Sequence, residues 1–165
     1  MTKAKGPRFR ISFRRRRDGQ TNFKKRLAII KSGKTRMVVR KSNSNVMIQF
    51  IDFGPTGDRT LFTVSSVHLA KLHKWPSKRN VWTAYLVGLM AGKSAKKNNV
   101  KEFVLDIGMY VPSKGSILFA ALKGVVDAGI SAKYDPSKVP EDKISNPPDK
   151  YKEIFGKVRD EINKG

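Results

Sequence analysis

Apolar and polar residues follow the pattern of β-strands in three consecutive segments, "RMVVRKS", "NVMIQFIDF" and "RTLFTVSS". The polar turns "NSN" and "GPTGD" separate these segments, which are rich in β-branched and aromatic residues. Strands joined by short turns pair with their sequence neighbours, so the pattern predicts an antiparallel three-strand meander. Val46, Ile48 and Phe50 alternate with Met47 and Ile51. Both faces therefore have apolar content, and we expect helices to cover one of them.

Helical periodicity predicts a short amphipathic helix over residues 22–33, with Phe23, Leu27 and Ile30 on one stripe and Gly33 as its end. The opposite face of this helix is basic. The twenty residues before it mix basic and isolated apolar side chains without a helical period, which indicates an extended arm.

Two further helices are predicted in the middle of the chain, a short one over residues 68–73 and a long one over "NVWTAYLVGLMAGKSAKKN". The long helix places Ala84, Gly88 and Gly92 on one stripe. Small side chains let a helix approach its neighbour closely, and we expect that neighbour to be the sheet.

The segment "EFVLDIG" is typical of a buried strand, and the helix "GSILFAALKGVVDAG" follows it after a loop. Together they indicate a parallel crossover unit. The predicted fold is therefore α/β, with a mixed sheet packed by helices. We divide the chain into a basic arm (1–20), an α/β domain (21–134) and a proline-containing extension (135–165) with a short charged helix from Tyr151 to Asn163.

Charge changes this picture, because 35 Lys and Arg against 13 Asp and Glu leave a formal net charge of +22. Residues 1–41 contribute +15, residues 42–134 contribute +7, and the remainder is neutral. Such an excess is self-repelling in a compact chain and indicates a polyanionic partner, with nucleic acid as the first candidate. The amino-terminal segment is the expected contact.

Other classes of site have little support in the sequence. The chain has no cysteine, which excludes disulfides and thiolate sites and fits a reducing compartment. His68 and His73 lie too far apart in register to share a helical face, so we expect surface or structural roles. The most apolar run, residues 81–92, is shorter than the roughly 20 residues that span a bilayer. The first residues do not resemble a secretory signal.

The segment "IIKSGKTRMVV" contains the Gly-Lys-Thr triplet that ends nucleotide-binding P-loops. The glycine that a P-loop needs five residues before its second glycine is replaced by Ala28. A P-loop also leads from a strand into a helix, whereas here a predicted helix ends at Gly33 and a strand follows. We therefore expect a helix end and a strand start, with no role for Lys34 in nucleotide hydrolysis.

Three groups of side chains suit RNA. The Arg14 to Arg17 run is interleaved with phenylalanines, and arginine pairs with phosphate while aromatic rings stack on bases; a solvated basic tail is the alternative. The predicted hairpin tip at residues 42–45 carries amides that can read base edges, although asparagine also favours turns. In "YVPSKGS", Lys114, the Gly115 N–H and Ser116 precede a helix and can meet an anion, or they only cap it.

An enzymatic alternative rests on Asp52 and Asp106, which lie near predicted strand ends. Paired carboxylates can hold a divalent ion in a metal-dependent nuclease. Aspartate at a strand end is also ordinary turn chemistry, and no cluster of acidic residues accompanies this pair.

The order of these motifs resembles large-subunit ribosomal protein eighteen of the archaeal and eukaryotic type, a family that binds 5S ribosomal RNA. The matching stretches include "PRFRISFRRRRDGQTNFKKRLAIIKSGKTRMVVRKSNSNVMIQFID", "AYLVGLMAGKSAKK" and "EFVLDIGMYVPSKGSILFAALKGVVDAGI". They cover most of residues 7–130 and leave the segment after Tyr134 least matched.

The resemblance implies a non-enzymatic structural protein of the cytoplasmic ribosome, without cofactor or metal, that attaches 5S rRNA at the central protuberance of the large subunit. It implies large-subunit rRNA and neighbouring ribosomal proteins as further partners. The expected RNA-binding residues are Arg8, Arg10, Arg14, Arg15, Arg16, Arg17, Lys24, Lys25, Arg26, Arg40, Lys41, Ser42, Asn43, Asn45, Lys114 and Ser116.

Overall fold

The computed structural model describes residues 6–76 and 79–164. Its strands are β1 (Thr35–Lys41), β2 (Val46–Gly54), β3 (Gly57–Ser65), β4 (Glu102–Asp106) and β5 (Ser131–Ala132). Its helices are α1 (Arg14–Arg17), α2 (Phe23–Lys31), α3 (Ser66–His73), α4 (Val81–Lys97), α5 (Ile117–Asp127), α6 (Glu141–Ser145) and α7 (Asp149–Lys164), with a 3-10 turn at Pro136–Lys138.

The five strands form one mixed sheet in the order β3-β2-β1-β4-β5. The pairs β3-β2 and β2-β1 are antiparallel, which confirms the predicted meander. The pairs β1-β4 and β4-β5 are parallel, which confirms the predicted crossover. The fold is therefore α/β with a mixed sheet packed by helices.

One face of the sheet carries the core. Val46, Ile48 and Phe50 of β2 are fully buried there, as their alternation predicts, and they belong to the same apolar cluster as Leu86 of α4 and Leu122 of α5. The helices α4 and α5 do not cover the opposite face of the sheet. We call this opposite side the open face.

The stripe of small residues in α4 packs on another helix and not on the sheet, so that expectation is wrong. A Cβ added to Gly88 would lie 2.3 Å from the Ala121 carbonyl oxygen, and one added to Gly92 would lie 2.4 Å from the Ala128 Cβ. Because α4 and α5 cover the same face of the sheet, they meet each other along their small residues.

The basic arm is not extended throughout, as the sequence suggested, because α1 forms a single helical turn. The Asp18 N–H bonds the Arg14 carbonyl at 2.9 Å, and the Asp18 carboxylate lies 3.7 Å from the Nε atoms of Arg14 and Arg17. This carboxylate offsets part of the repulsion within the arginine run. The expected arm's first five residues lie outside the described part of the chain.

The predicted helix over residues 22–33 is confirmed as α2. The Asn22 side chain accepts the Lys25 N–H at 3.1 Å, and Gly33 takes a positive φ of 66° just after the helix. Its apolar stripe is largely in solvent, since Leu27 is 54% exposed and α2 has no buried residue. This helix lies on the molecule's surface and adds nothing to the main core.

The segment after Tyr134 is packed onto the domain. Phe155 and Val158 of α7 are buried in the core cluster, and the Trp82 indole N–H donates to the Lys143 carbonyl at 2.7 Å. The helix expected from Tyr151 to Asn163 is confirmed with slightly wider bounds. Among the described residues, no helix combines the length and apolar character needed to cross a bilayer.

Candidate nucleic-acid interface

A groove of about 380 Å³ lies on the open face of the sheet, between β1 and the segment that leads into α2. We call it the sheet-face groove. It is lined by α1, the α1–α2 connection, α2, β1 and the loop after β4, through Arg15, Gln20, Thr21, Asn22, Lys25, Arg26, Arg36, Val38, Val39, Arg40, Ile51, Asp58, Asp106, Ile107, Gly108, Met109 and Tyr110. Four expected RNA contacts, Arg15, Lys25, Arg26 and Arg40, are thus brought together.

The alternation of β1 supplies the floor of the groove. Met37 and Val39 point into the core cluster, so Arg36, Val38 and Arg40 point to the open face. Val38 is only 9% exposed yet lies outside the core cluster. It is covered from the open side, by the groove walls.

An ion pair between Arg26 and Asp58 holds α2 to this face, and Arg36 shares the same carboxylate. The Asp58 carboxylate of β3 accepts a hydrogen bond from Arg26 Nη2 at 2.9 Å and lies 2.7 Å from Arg36 Nη2. Arg36 Nη1 donates to Asp106 of β4 at 3.3 Å. Arg36 is 4% exposed, so its charge is buried between these two carboxylates.

The acidic side chains of the groove are therefore already paired, and its outer cations are not. No carboxylate among residues 6–76 and 79–164 lies within ion-pair distance of Arg15, Lys25 or Arg40. Arg15 Nε donates to the Thr21 hydroxyl at 3.0 Å, which fixes α1 beside the start of α2. The rim consequently presents positive charge to solvent.

The loop after β4 closes one end of the groove. The Asp106 carboxylate accepts the Gly108 N–H at 2.9 Å, and Gly108 adopts a positive φ of 58°. The Tyr110 hydroxyl donates to the Lys41 carbonyl at 3.0 Å, while Lys41 Nζ lies 4.9 Å from the centre of the Tyr110 ring. The ring is thereby fixed at the groove wall.

At the hairpin tip, residues 42–45, the two asparagines have different surroundings. The Asn45 side-chain oxygen accepts a hydrogen bond from the Ser66 hydroxyl at 3.4 Å, and the Asn45 N–H donates one to the Ser42 hydroxyl oxygen at 3.0 Å. Asn43 is exposed, and its backbone carbonyl accepts from Arg79 Nη1 at 3.4 Å. Asn45 therefore helps to build the turn, whereas the Asn43 side chain faces solvent.

The remaining expected contacts do not line the groove. The side chains of Arg8, Arg10, Arg16, Arg17 and Lys24 are exposed, and so is that of Lys114. The Gly115 N–H donates to the Lys138 carbonyl at 2.9 Å, so it cannot bind the anion considered above. The buried Ser116 hydroxyl has no hydrogen-bond partner in the described part of the chain.

The residues behind the enzymatic alternatives are not brought together. Lys34 follows the end of α2, as predicted, and its ammonium group pairs with Glu102, whose pKa the hydrogen bond from Lys34 lowers. Asp106 pairs with Val38 on one side of β1, whereas Asp52 belongs to β2 on the other side. Because β1 lies between them, the backbones of β2 and β4 are roughly 9–10 Å apart. No cluster of three metal-ligating side chains occurs among the residues that the structure describes.

Comparison with known proteins agrees with the resemblance drawn from the sequence. A family model described as ribosomal large subunit proteins 60S L5 and 50S L18 matches residues 7–103. The chain belongs to this family. It is 49% identical to the large ribosomal subunit protein uL18 of Methanothrix thermoacetophila, with 84% of this chain and 82% of that protein covered.

Two further relatives have the same description. The large ribosomal subunit protein uL18 of Korarchaeum cryptofilum is 46% identical, over 86% of this chain and 73% of its own length. That of Aeropyrum pernix is 43% identical, over 84% of this chain and 65% of its own length. The family match includes α1, α2, β1 and the hairpin tip, and it ends before Tyr110, Lys114 and Ser116.

Sequence reasoning missed most of the lining of the sheet-face groove, including Arg36, Asp58 and Tyr110. An arginine at an open-face position of a strand was the available signal for Arg36. No local pattern indicates its partners, because Asp58 and Asp106 come close to Arg36 only through the strand order β3-β2-β1-β4.

Proposed function

We propose that this protein binds 5S rRNA and attaches it to the large ribosomal subunit at the central protuberance. The observation that carries the proposal is the gathering of Arg15, Lys25 and Arg40 around one groove without carboxylate partners in the described chain. Phosphates of a folded RNA would neutralise this rim and release its counterions.

The distribution of charge supports the same orientation. The first 41 residues carry +15 and include α1 and α2, which lie on the open face, whereas residues 135–165 carry no net charge and include α7, which packs into the core cluster on the other face. RNA is therefore expected at the open face and the arm. The neutral helical side is then left for neighbouring ribosomal proteins, and the site of action is the cytoplasmic ribosome.

The proposed role is structural and requires no catalysis by the chain. Its relatives are described as large-subunit ribosomal proteins, and Asp52 and Asp106 sit on strands separated by β1. Binding then depends on arginine forks for phosphate and on exposed polar groups for base edges and 2′-hydroxyls.

The test is to incubate the purified protein with labelled 5S rRNA and, as a non-cognate folded RNA, with a labelled transfer RNA in Mg²⁺. We expect the protein to shift the 5S rRNA at the lower concentration and to leave both RNAs intact on a denaturing gel. Equal affinity for the two RNAs would contradict the 5S assignment. RNA cleavage that persists after the protein has been purified again would contradict a purely structural role.

A further inference from the structure

We propose that the sheet-face groove holds one unpaired nucleotide of the bound RNA. The base would lie against Val38, Ile51 and the Tyr110 ring, and the adjoining phosphates would meet Arg15 and Lys25. This inference rests on the proposed function, since it assumes that RNA covers the open face.

The size of the groove suits a nucleotide. Its volume of about 380 Å³ lies at the lower end of the range, roughly 300–1,000 Å³, in which small-molecule pockets are found. A base pair inside a helix cannot enter such a groove, because both of its faces are stacked. A base from a loop or bulge can be splayed out and inserted.

The floor of the groove is apolar although it lies outside the core. Val38 and Ile51 are buried on the open face and do not belong to the core cluster. Met109, at the edge of the groove, is 53% exposed. An apolar floor below a cationic rim matches the two halves of a nucleotide, a flat base and a charged phosphate.

The charges inside the groove do not repel a phosphate. Arg36 neutralises Asp58 and Asp106, and Arg26 also bonds Asp58 at 2.9 Å. The Nη2 group of Arg36 lies 2.7 Å from the Asp58 carboxylate, whereas its buried Nε group donates to no acceptor among the described residues. A carbonyl or ring nitrogen of an inserted base is an acceptor that this Nε donor can use after a small side-chain adjustment.

The groove wall is already ordered before any ligand arrives. The Tyr110 hydroxyl is bonded to the Lys41 carbonyl, and the Asp106 carboxylate holds the Gly108 N–H. A wall held by these contacts loses little conformational freedom on binding, which favours affinity. The aromatic ring is therefore a fixed platform and not a mobile surface group.

The first experiment uses amide NMR spectra of the full-length protein titrated with the four nucleoside 5′-monophosphates. Inorganic phosphate and ribose 5-phosphate are the controls for binding by charge alone. We expect the nucleotides to shift the amides of Val38, Gly108 and Tyr110 well beyond the shifts that the two controls cause. Identical shifts with nucleotides and with ribose 5-phosphate would overturn the proposal.

The second experiment measures 5S rRNA affinity for two variants that alter the groove without changing charge. Val38→Phe fills the floor, and Tyr110→Ala removes the platform. Each should weaken 5S rRNA binding about tenfold and leave the salt dependence unchanged, because stacking of a base is lost and no phosphate contact is. Val67→Phe, at an exposed position of α3 outside the groove lining, is the matched control and should bind normally.

The two experiments separate this proposal from the proposed function. Nucleotide binding in the groove by a protein without preference for 5S rRNA would support the groove and contradict the 5S assignment. Full 5S rRNA affinity in Tyr110→Ala, together with a normal melting temperature, would overturn the groove and leave the 5S assignment standing. Circular dichroism melting of each variant identifies any loss that comes from unfolding.

Discussion

Arg36 Nη2 of β1 lies 2.7 Å from Asp58 Oδ2 of β3, so these side chains meet over the intervening strand β2. The same carboxylate bonds Arg26 of α2. A single acidic side chain therefore joins the buried guanidinium to the helix that forms one wall of the sheet-face groove.

Asp58→Asn should lower the free energy of unfolding by about 1–3 kcal/mol, because Arg36 would keep only Asp106 as a charged partner. Asp58 is partly exposed, so solvent screening keeps the loss below that of a fully buried pair. Urea unfolding measures it. Asp52→Asn is the control, with an expected change below about 0.5 kcal/mol, since Asp52 forms no ion pair within the described residues. Equal losses in both variants would refute the special role of Asp58.

The close approach of α4 and α5 gives a second prediction. A Cβ at Gly88 would lie 2.3 Å from the Ala121 carbonyl oxygen and 3.1 Å from the Gly124 Cα, and backbone atoms cannot move aside cheaply. Gly88→Ala should therefore destabilise the protein by roughly 3 kcal/mol through overpacking. Thermal unfolding of Gly156→Ala is the comparison. Gly156 lies in α7 with open space around its Cβ position, so alanine should stabilise by about 0.5–1 kcal/mol.

Strand β2 and the contact between α4 and α5 show which features of the fold can be predicted from the sequence and which cannot. The alternation of Val46, Ile48 and Phe50 identified the buried face of β2, because a strand's side chains alternate whatever its neighbours are. The stripe containing Gly88 indicated close packing correctly but gave the wrong neighbour. Periodicity shows which face of a helix is small, and only the tertiary arrangement decides what that face meets.

The candidate RNA interface was likewise predicted only in part. The arginine run and the asparagines of the hairpin tip were visible as residue types in local patterns. The sheet-face groove was not, because it needs α1, α2 and the loop after β4 to converge on the open face. The helical turn at Arg14–Arg17 was also missed, because this segment has no sustained helical period and the contacts of Arg14 and Arg17 with Asp18 have no signature in that pattern.

Tyr85 should make stability fall at alkaline pH. Burial raises the pKa of Tyr85 well above its ordinary value of 10.0, and Asp127, which accepts a hydrogen bond from the Tyr85 hydroxyl at 2.9 Å, raises it further. The folded protein therefore retains a proton that the unfolded chain releases above about pH 10. Stability contributed by this group is complete below that pH and declines as the pH rises.

Tyr85→Phe should remove this decline, which amounts to at most about 1.4 kcal/mol per pH unit above pH 10. At pH 7 the variant should lose about 1 kcal/mol through the missing hydrogen bond. Asp127 keeps Lys123 as a partner at 3.1 Å, so it is not left unpaired. Urea unfolding from pH 7 to pH 11 checks the prediction. Curves for the two proteins that stay parallel above pH 10 would contradict it.

The arm should contribute attachment without sequence preference. Replacing Arg14 to Arg17 with alanine should weaken binding to 5S rRNA and to unrelated RNA alike, because phosphate contacts do not read sequence. Each lost contact removes roughly 0.7–0.9 from the slope of log K against log salt, so the loss of four contacts would reduce it by about 3.

The matched control replaces four exposed lysines of α7, Lys150, Lys152, Lys157 and Lys164, with alanine. It removes the same number of charges from the neutral end of the chain, so we expect a change in slope below about 1. Binding of each variant is measured at several salt concentrations. An equal change in both variants would mean that the arm acts only through net charge.

The two asparagines of the hairpin tip should separate recognition from stability. Asn43 is exposed, and Arg79 bonds its backbone carbonyl, which Asn43→Ala leaves in place. This variant should keep its melting temperature and lose about 1–3 kcal/mol of preference for 5S rRNA over unrelated RNA, because only a contact to a base edge or 2′-hydroxyl is removed.

Asn45→Ala removes the oxygen that accepts the hydrogen bond of the Ser66 hydroxyl at 3.4 Å. The same hydroxyl accepts a hydrogen bond from the Val46 N–H at 3.2 Å. The substitution should cost about 1–2 kcal/mol of folding free energy. Melting curves and competition binding at one salt concentration distinguish the two effects, and full discrimination in Asn43→Ala would show that the tip does not read the RNA.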